Sequence, residues 1–441
     1  DVVFARVEAN DGSSGVLYSG LFDPKLNDAL LGAMARRRRI RGRSGGELIG
    51  SHTRAFRSLW GSDRPSLEPS VMPGEQRNTS IAFGDRFVFK LFRRIEAGTN
   101  PEIEMTAFLA QQGFKHAPRV AGTLEYQDSR GEVMSVGVLH GYSANQGSAW
   151  RYTLDHLGRF FESALARPEI IEPAPLASAA IEIPAEVADL LGEYAESARL
   201  MGQRIGEMHA VLGSDHSNRD FAPEPFTDHY RMGLYHGLTA EAGRALAALE
   251  NAAAALPADV QAEARQVLDR ADAIRAKFRV VRDHRFETMR LRSHGDLNLR
   301  QLLYLGNDFT IIDFEGLPMR AYGERRLKRS PLRDVAAMLR SFHYAANAVR
   351  FGRVPGIAPR AGAADALERW ADFWSSWVGA LFLAGYFGAT KDAGFLPSSP
   401  QDIRALLEVF ILEKALMEMT VELADRPDWL VIPMRGIISI V

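Results

Sequence analysis

The sequence predicts an α+β protein in two lobes, a small β-rich one followed by a large helical one. Three observations carry this. Short alternating apolar runs and turn dipeptides are confined to the first third of the chain. Helical periodicity takes over from Trp150. One strand-like island, Gln301-Leu302-Leu303-Tyr304 to Phe309-Thr310-Ile311-Ile312, interrupts the helical part and is flanked by its most polar, motif-like residues. The expected organisation is an N-terminal cap over 1–75, a β-rich part over 76–142 and a helical part over 143–441.

Length and composition bound what the chain can be. Its 441 residues are enough for two or three domains, or for one lobed enzyme. A formal net charge of −2 gives no global pull toward nucleic acid or an anionic membrane, so neither is expected as a partner. The absence of cysteine excludes disulfides, thiolate-ligated metals and a thiol nucleophile, and it fits a reducing cytoplasm. No apolar run reaches 18 residues, so no transmembrane helix is expected. The start, Asp1-Val2-Val3-Phe4, has neither a signal-peptide layout nor an initiator Met, as in a trimmed chain or one cut from a longer polypeptide.

Along the β-rich part, Ser80-Ile81-Ala82-Phe83 and Phe87-Val88-Phe89 flank Gly84-Asp85 and read as a hairpin. A helix follows: Thr99 and Glu102 have capping-box spacing, Pro101 suits a first turn, and Ile103, Ala107, Leu109 and Ala110 supply an apolar face. Further strands are expected over 118–141. The basic cluster Arg36 to Arg39, Arg41 and Arg43 reads as a solvated, cation-rich helix end rather than a phosphate patch, because no aromatic residues are interleaved with it. In the helical part, a proline-rich surface connection is expected over 167–184, one long amphipathic helix over 186–212, a helical pair over 238–285 and more helix over 364–425. No repeat of fixed period is present.

The polar motifs match the parts that phosphoryl transfer from ATP requires: a lysine on the phosphates, a helix glutamate to position it, an aspartate for the acceptor hydroxyl and oxygen ligands for magnesium. Asp296 lies in His294-Gly295-Asp296-Leu297-Asn298-Leu299-Arg300-Gln301, with the amide Gln301 five residues on, the separation used by protein kinases. Asp313, in Asp313-Phe314-Glu315-Gly316, comes twelve residues later across a predicted hairpin. This reads as Asp296 for the base and Gln301 and Asp313 for the metal. Either triplet alone would be an ordinary loop; their order, spacing and intervening hairpin make the reading specific. Lys90, closing Phe87-Val88-Phe89-Lys90, and Glu104 on the next helix form the expected nucleotide clamp. No glycine-rich loop precedes Lys90, so the phosphate-covering turn falls on Gln76-Arg77-Asn78-Thr79-Ser80, with Thr79 and Ser80 as hydroxyl donors. His209 reads as a structural helix histidine rather than a ligand. His140 lies near the expected lobe junction, and both readings apply to it.

Several stretches resemble the maltokinase family, especially the maltokinase-like domains fused to trehalose synthase. They are Lys90-Leu91-Phe92-Arg93-Arg94, Gly98-Thr99-Asn100-Pro101-Glu102-Ile103-Glu104, Ala149-Trp150-Arg151-Tyr152, Glu324-Arg325-Arg326, Pro331-Leu332-Arg333-Asp334-Val335-Ala336 and Arg426-Pro427-Asp428-Trp429. The resemblance covers nearly the whole chain. It implies a protein-kinase-like, aminoglycoside-kinase-like fold and an ATP- and Mg2+-dependent kinase that converts maltose to maltose 1-phosphate in the trehalose-to-α-glucan route, with trehalose synthase as partner. It also implies Asp296 as base, Gln301 and Asp313 as metal ligands with Glu315 assisting, and Lys90 with Glu104 as clamp. His294, Asn298, Lys414, Glu418, Glu422 and Arg426 are implied on the sugar side. For Glu418, Glu422 and Arg426 a simple i, i+4 salt-bridge ladder is the alternative.

The chain departs from the family pattern at Asn298, Arg300, Leu317, Met417 and Asp425, several of them on the acceptor side. A kinase of another sugar such as glucosamine, whose amine an extra carboxylate would pair, is therefore the second expectation. An inactive domain scaffolding trehalose synthase is the third, and the intact Lys90, Asp296, Gln301 and Asp313 count against it.

Overall fold

The computed structural model describes residues 2–73, 77–167, 182–354 and 364–441, together with Ala174. The chain forms two compact units. The first contains Asp1–Ala144 and Thr310–Arg326, and the second Asn145–Phe309 and Leu327–Val441.

The first unit opens with an isolated hairpin, β1 (Val3–Glu8) and β2 (Ser14–Tyr18), that buries nothing. There follow α1 (Pro24–Ala35), β3 (Arg39–Arg41), β4 (Glu47–His52), α2 (Ala55–Trp60), β5 (Pro69–Val71), β6 (Thr79–Phe83), β7 (Phe87–Leu91), α3 (Pro101–Gln111), β8 (Val120–Gln127) and β9 (Val133–Gly141). Seven of these strands make one antiparallel sheet in the order β3-β4-β8-β9-β7-β6-β5. The predicted boundary at residue 75 therefore does not separate two structures, since β3, β4 and β5 belong to the same sheet as the 76–142 strands. The arginine cluster also differs from expectation. α1 stops at Ala35, and Arg39 and Arg41 sit in an edge strand where both pair with Glu47 of β4, at 3.1 and 2.7 Å.

The two-residue period of a strand decides which face each side chain takes. Phe87 and Phe89 of β7 join Ile81, Phe83 and Leu139 from neighbouring strands, with Leu31 and Met34 of α1 and Phe56 of α2, in one core. Val138 of β9 packs instead with Val120, Phe92 and Ile103 of α3. Lys90 is one residue beyond Phe89 and lies opposite Val138, so it emerges on the α3 side.

The second unit contains α4 (Ala149–Ala164), α5 (Ala185–Leu191), α6 (Tyr194–Leu212), β10 (Glu224–Pro225), α7 (Asp228–Ala252), α8 (Ala258–Asp269), α9 (Ala271–Asp283), β11 (Met289–Arg290) and β12 (Leu302–Tyr304). The chain crosses to the first unit within β13 (Phe309–Ile311), forms α10 (Tyr322–Arg325) there, and returns for α11 (Leu332–Arg350), α12 (Ala364–Thr390), α13 (Pro400–Asp425) and α14 (Val431–Ile438). The turn after β12 is closed by Leu305 N–H to the Asp308 carbonyl, and Arg204 of α6 holds the Asp308 carboxylate through Nε and Nη2 at 2.8 and 3.0 Å.

The single helix expected over 186–212 is two, because Gly192 takes a positive φ of 52° and breaks it. The helical pair expected over 238–285 is three helices, beginning earlier at Asp228. α6 and α12 approach closely through glycine: a Cβ at Gly202 would lie 1.9 Å from the Phe382 carbonyl oxygen. The proline-rich connection expected over 167–184 lies largely outside the described residues. Among those described, no helix is long and apolar enough to cross a membrane.

Candidate active site

In the first unit, a buried charge cluster forms around Lys90. Its Nζ lies 2.5 Å from Glu102 Oε2 and 2.6 Å from Glu315 Oε1, and it also pairs with Asp313 Oδ1. The sheet supplies the lysine, α3 supplies Glu102, and the loop after β13 supplies both other carboxylates. His140 of β9 donates from Nε2 to Glu102 Oε1 at 3.0 Å. Asn78 donates to Glu315, and Arg325, nearly fully buried, stands 3.8 Å from its other oxygen. Asp313 has a φ of 67°, the left-handed region that few non-glycine residues adopt, and Phe314 beside it is anchored in the interior.

The electrostatics follow from burial opposed by charge. Burial would lower the Lys90 ammonium, but Glu102, Asp313 and Glu315 together outweigh it and hold it well above its ordinary value. Burial likewise works against ionisation of Glu102, yet Lys90 and His140 keep its carboxyl below the usual range. Glu315 goes the other way. Burial, reinforced by the charges of Glu102 and Asp313, pushes it up against the pull of Lys90. Oxygens of Glu102, Asp313 and Glu315 lie within 4.8 Å of one another. Three carboxylates gathered against Lys90 and the more distant Arg325 bring hard oxygen donors together, a set that suits Mg2+.

One predicted member of this cluster is corrected. Glu104 is not the partner of Lys90; Glu102 is, while Glu104 pairs with Arg326 at 3.2 Å. The two glutamates are about 200° apart around the helix at 100° per residue. The face that meets the sheet carries Glu102, Thr106 and Leu109, all buried. The helix also starts one residue later than expected, with the Asn100 side chain accepting from Glu102 N–H and Pro101 in the first turn. Thr79 and Ser80 are corrected as well. They are not in a covering turn but open β6, where Ser80 lies opposite Lys90 and the Thr79 hydroxyl accepts from Arg93 Nε at 3.2 Å. Gln76 of that turn lies outside the described residues.

In the second unit, the loop holding Asp296 is set by α11. Asp334, only 2% exposed, accepts the N–H groups of His294 at 2.8 Å and Gly295 at 2.9 Å, and Ser341 accepts that of Leu299 at 3.1 Å. His209 of α6 donates from Nε2 to the same Asp334 at 3.0 Å, and its Nδ1 meets the Tyr386 hydroxyl at 3.0 Å. His209 is thus the structural histidine that its helical setting suggested. Burial would raise Asp334, but the bonds from His209 and Gly295 hold it below its ordinary value.

Leu297 and Leu299 are fully buried, whereas Asp296, Asn298 and Arg300 alternate with them and stay accessible. His294 is buried against Asp334 by its backbone, and the Asn298 side chain is spent locally, donating to the Asp296 carbonyl and accepting from Arg300 N–H. Gln301 ends the short 3-10 turn Leu299–Gln301, with its N–H on the Asn298 carbonyl. It lies in the second unit, whereas Asp313 and Glu315 lie in the first.

α13 presents a stripe at four-residue spacing. Lys414 Nζ stands 3.8 Å from Asp296 Oδ1. Glu418 accepts Arg340 Nε and Nη2 on its Oε2, at 3.0 and 2.7 Å. Glu422 accepts the Tyr344 hydroxyl at 2.6 Å and a bidentate Arg426 at 2.6 and 2.9 Å. The Arg426 guanidinium lies 4.9 Å from the Trp429 ring centroid, and Trp429 stacks on Tyr344 at 5.7 Å. Sequence reasoning did not single out Glu102, Tyr344 or Arg340 as site residues. Asp334 appeared only within a family-like stretch, although a lone acid among Val335, Ala336 and Ala337 was a usable signal.

No protein-family model matches the chain. A curated glucosamine kinase from Streptacidiphilus jiangxiensis is 24% identical over 288 residues, 65% of this chain and 56% of that protein. The match thus spans about half the length of that relative. A solved glucosamine kinase in complex with glucosamine, ADP and inorganic phosphate superposes with a TM-score of 0.68 at 18% identity, over 98% of this chain and 89% of that one. A solved glucosamine kinase in its crystal form A gives 0.66 at 18%, over 99% and 85%. The likeness is one of fold, and it bears out the expected class: a kinase-like α+β architecture with a sheet-bearing unit and a larger helical one.

Proposed function

We propose that the chain is an ATP-dependent sugar kinase whose acceptor is an amino sugar, glucosamine before maltose. The observation that carries the kinase reading is Lys90, held between a helix carboxylate, Glu102, and a positive-φ aspartate, Asp313. A buried ammonium kept charged by such neighbours is suited to neutralise nucleotide phosphates. Asp313 and Glu315 are the carboxylates assigned to Mg2+, which when bound supplies further charge neutralisation on the phosphates. Asp296, accessible on a loop whose neighbours are buried, is assigned to accept the proton of the sugar hydroxyl.

The acceptor preference is supported by the three similar proteins, all glucosamine kinases, and by α13. Its stripe starts beside Asp296 at Lys414, and Glu418 is one helical turn, about 5–6 Å, further along. Arg340 occupies Glu418 Oε2, and Oε1 has no hydrogen-bond partner among the described residues. That spacing matches the width of one sugar ring, and a carboxylate oxygen with capacity to accept suits an ammonium. Tyr344 and Trp429 add an aromatic surface for the ring.

The test is a coupled ADP-release assay on the purified chain with glucosamine, N-acetylglucosamine, maltose and glucose, with and without Mg2+. Glucosamine is expected to lead with a kcat/KM at least about tenfold above its N-acetyl derivative, the order lost with one charge-assisted hydrogen bond. Preference for maltose would return the reading to the maltokinase-like expectation. No ADP release with any sugar would favour the scaffold.

A further inference from the structure

We infer that His140 is a positioning residue that fixes Glu102, and through it Lys90, for nucleotide binding; this rests on the reading of the chain as an ATP-dependent kinase. Lys90 and His140 come from adjacent strands: β7 and β9 pair with Val88 opposite His140 and Lys90 opposite Val138. Both side chains therefore reach the α3 face. Glu102 enters between them and gives one oxygen to each, Oε2 to Lys90 and Oε1 to His140 Nε2. Glu102 is 3% exposed and His140 6%, so neither group has water as an alternative partner.

The need for a second grip lies in what else surrounds the lysine. Nζ also meets Asp313 and Glu315, two carboxylates of a different chain segment against the one on α3. A glutamate held by Lys90 alone would be in open competition with them, and its other oxygen would be buried without a donor. His140 removes both weaknesses. It satisfies Oε1, and by anchoring Glu102 to β9 it sets where Lys90 stays when no phosphate is present. Among the described residues Nδ1 has no hydrogen-bond partner, so nothing but Glu102 orients the ring by hydrogen bonding. An ionised carboxylate only accepts, which assigns the proton to Nε2.

The test uses the full chain and variants His140→Leu, His140→Gln and Glu102→Gln, with ATP binding by calorimetry, KM and kcat for ATP and sugar, and the His140 tautomer from nitrogen-15 spectra. Wild type is expected to show the Nε2–H tautomer. His140→Leu is expected to weaken ATP binding and raise its KM about tenfold or more, as for a lost hydrogen bond to a charged group, with sugar KM within about twofold. His140→Gln, whose amide N–H still donates, recovers most of the loss. In the Glu102→Gln background the leucine adds nothing further, because the histidine acts through that carboxylate.

Unchanged ATP binding in His140→Leu, additive losses in the double variant, or an Nδ1–H tautomer would overturn the inference. Should the leucine variant not fold, the glutamine variant and its double with Glu102→Gln carry the same cycle. A wild-type chain that binds ATP but phosphorylates none of the sugars overturns only the acceptor reading, whereas one that binds no ATP overturns both.

Discussion

Asp334 Oδ1 accepts the Gly295 N–H at 2.9 Å, so a buried carboxylate on α11 sets the backbone immediately before Asp296. The same carboxylate takes His294 N–H and His209 Nε2, and every donor is satisfied by one group. Asparagine has the same shape but only one accepting oxygen and presents an N–H2 where donors converge. Asp334→Asn is expected to lower kcat about a hundredfold with ATP KM nearly unchanged, and to cost about 2–4 kcal/mol of stability as a broken buried charge network does. Steady-state kinetics with a denaturant melt checks this; wild-type kcat in a folded variant would show that the loop holds its shape without Asp334.

The correction at α3 is tested by contrast. Glu102→Ala removes the buried partner of Lys90 and is expected to weaken ATP binding about tenfold to a hundredfold. Glu104→Ala removes a pair with Arg326 on the side of α3 away from Lys90 and is expected to stay within about twofold, the size of a surface salt bridge. Calorimetric titration with ATP distinguishes them, and the reverse ranking would restore Glu104 as the clamp.

Asp296→Asn is expected to reduce kcat by about two to four orders of magnitude while ATP binding changes little, if the carboxylate acts on the acceptor proton. Lys414 stands 3.8 Å from it. Lys414→Met, which removes that cation, is therefore expected to lower kcat while the ATP KM stays nearly unchanged. Equal turnover in Asp296→Asn and wild type would refute the base assignment.

His156 gives a stability prediction independent of function. Burial, with Arg159 nearby, lowers its pKa from 6.5 to about 4; its ring stacks on Tyr194 at 4.6 Å, and Nε2 has no partner among the described residues. The neutral form is favoured in the fold. Its stabilisation is therefore complete above the unfolded pKa of 6.5 and is lost as pH falls from there toward 4. Between pH 7 and 5 this amounts to about 1–2 kcal/mol. His156→Phe is expected to lose less stability over that interval than wild type. Parallel melting curves at pH 7 and 5 would refute this if the two proteins decline equally.

The legible part of the chain was the part written in local periodicity. The hairpin at Thr79–Leu91 and the alternation that turns Lys90 away from Phe89 are both consequences of neighbours within a few residues. What escaped depends on a helix phase or a distant partner. On α3, Ala107 and Ala110, counted on the apolar face, are exposed, and Glu104 is read as the clamp from its place on the helix after Lys90, without weighing the helix phase. Alanine carries too little hydrophobic area to fix a helix phase, whereas Met105, Phe108 and Leu109 would have fixed it. Asp334 and His209 are separated by 125 residues in the chain, and no pattern near either one announces the other.

Glu418 offers the most direct probe of the acceptor. Its Oε2 is committed to Arg340, and Oε1 is the carboxylate oxygen proposed for the amine of the sugar. Glutamine there keeps the length and one acceptor but removes the charge. Glu418→Gln is expected to raise the glucosamine KM about tenfold, the order of one charge-assisted hydrogen bond, while leaving the ATP KM and any residual turnover of neutral sugars within about twofold. Removing the charge also weakens the Arg340 pair, so a melt must show that the variant is folded; the neutral sugars act as an internal control, because damage to α13 would depress all acceptors alike. A variant that loses glucosamine and maltose in proportion would mean that Glu418 holds α13 to Arg340 and does not read the amine.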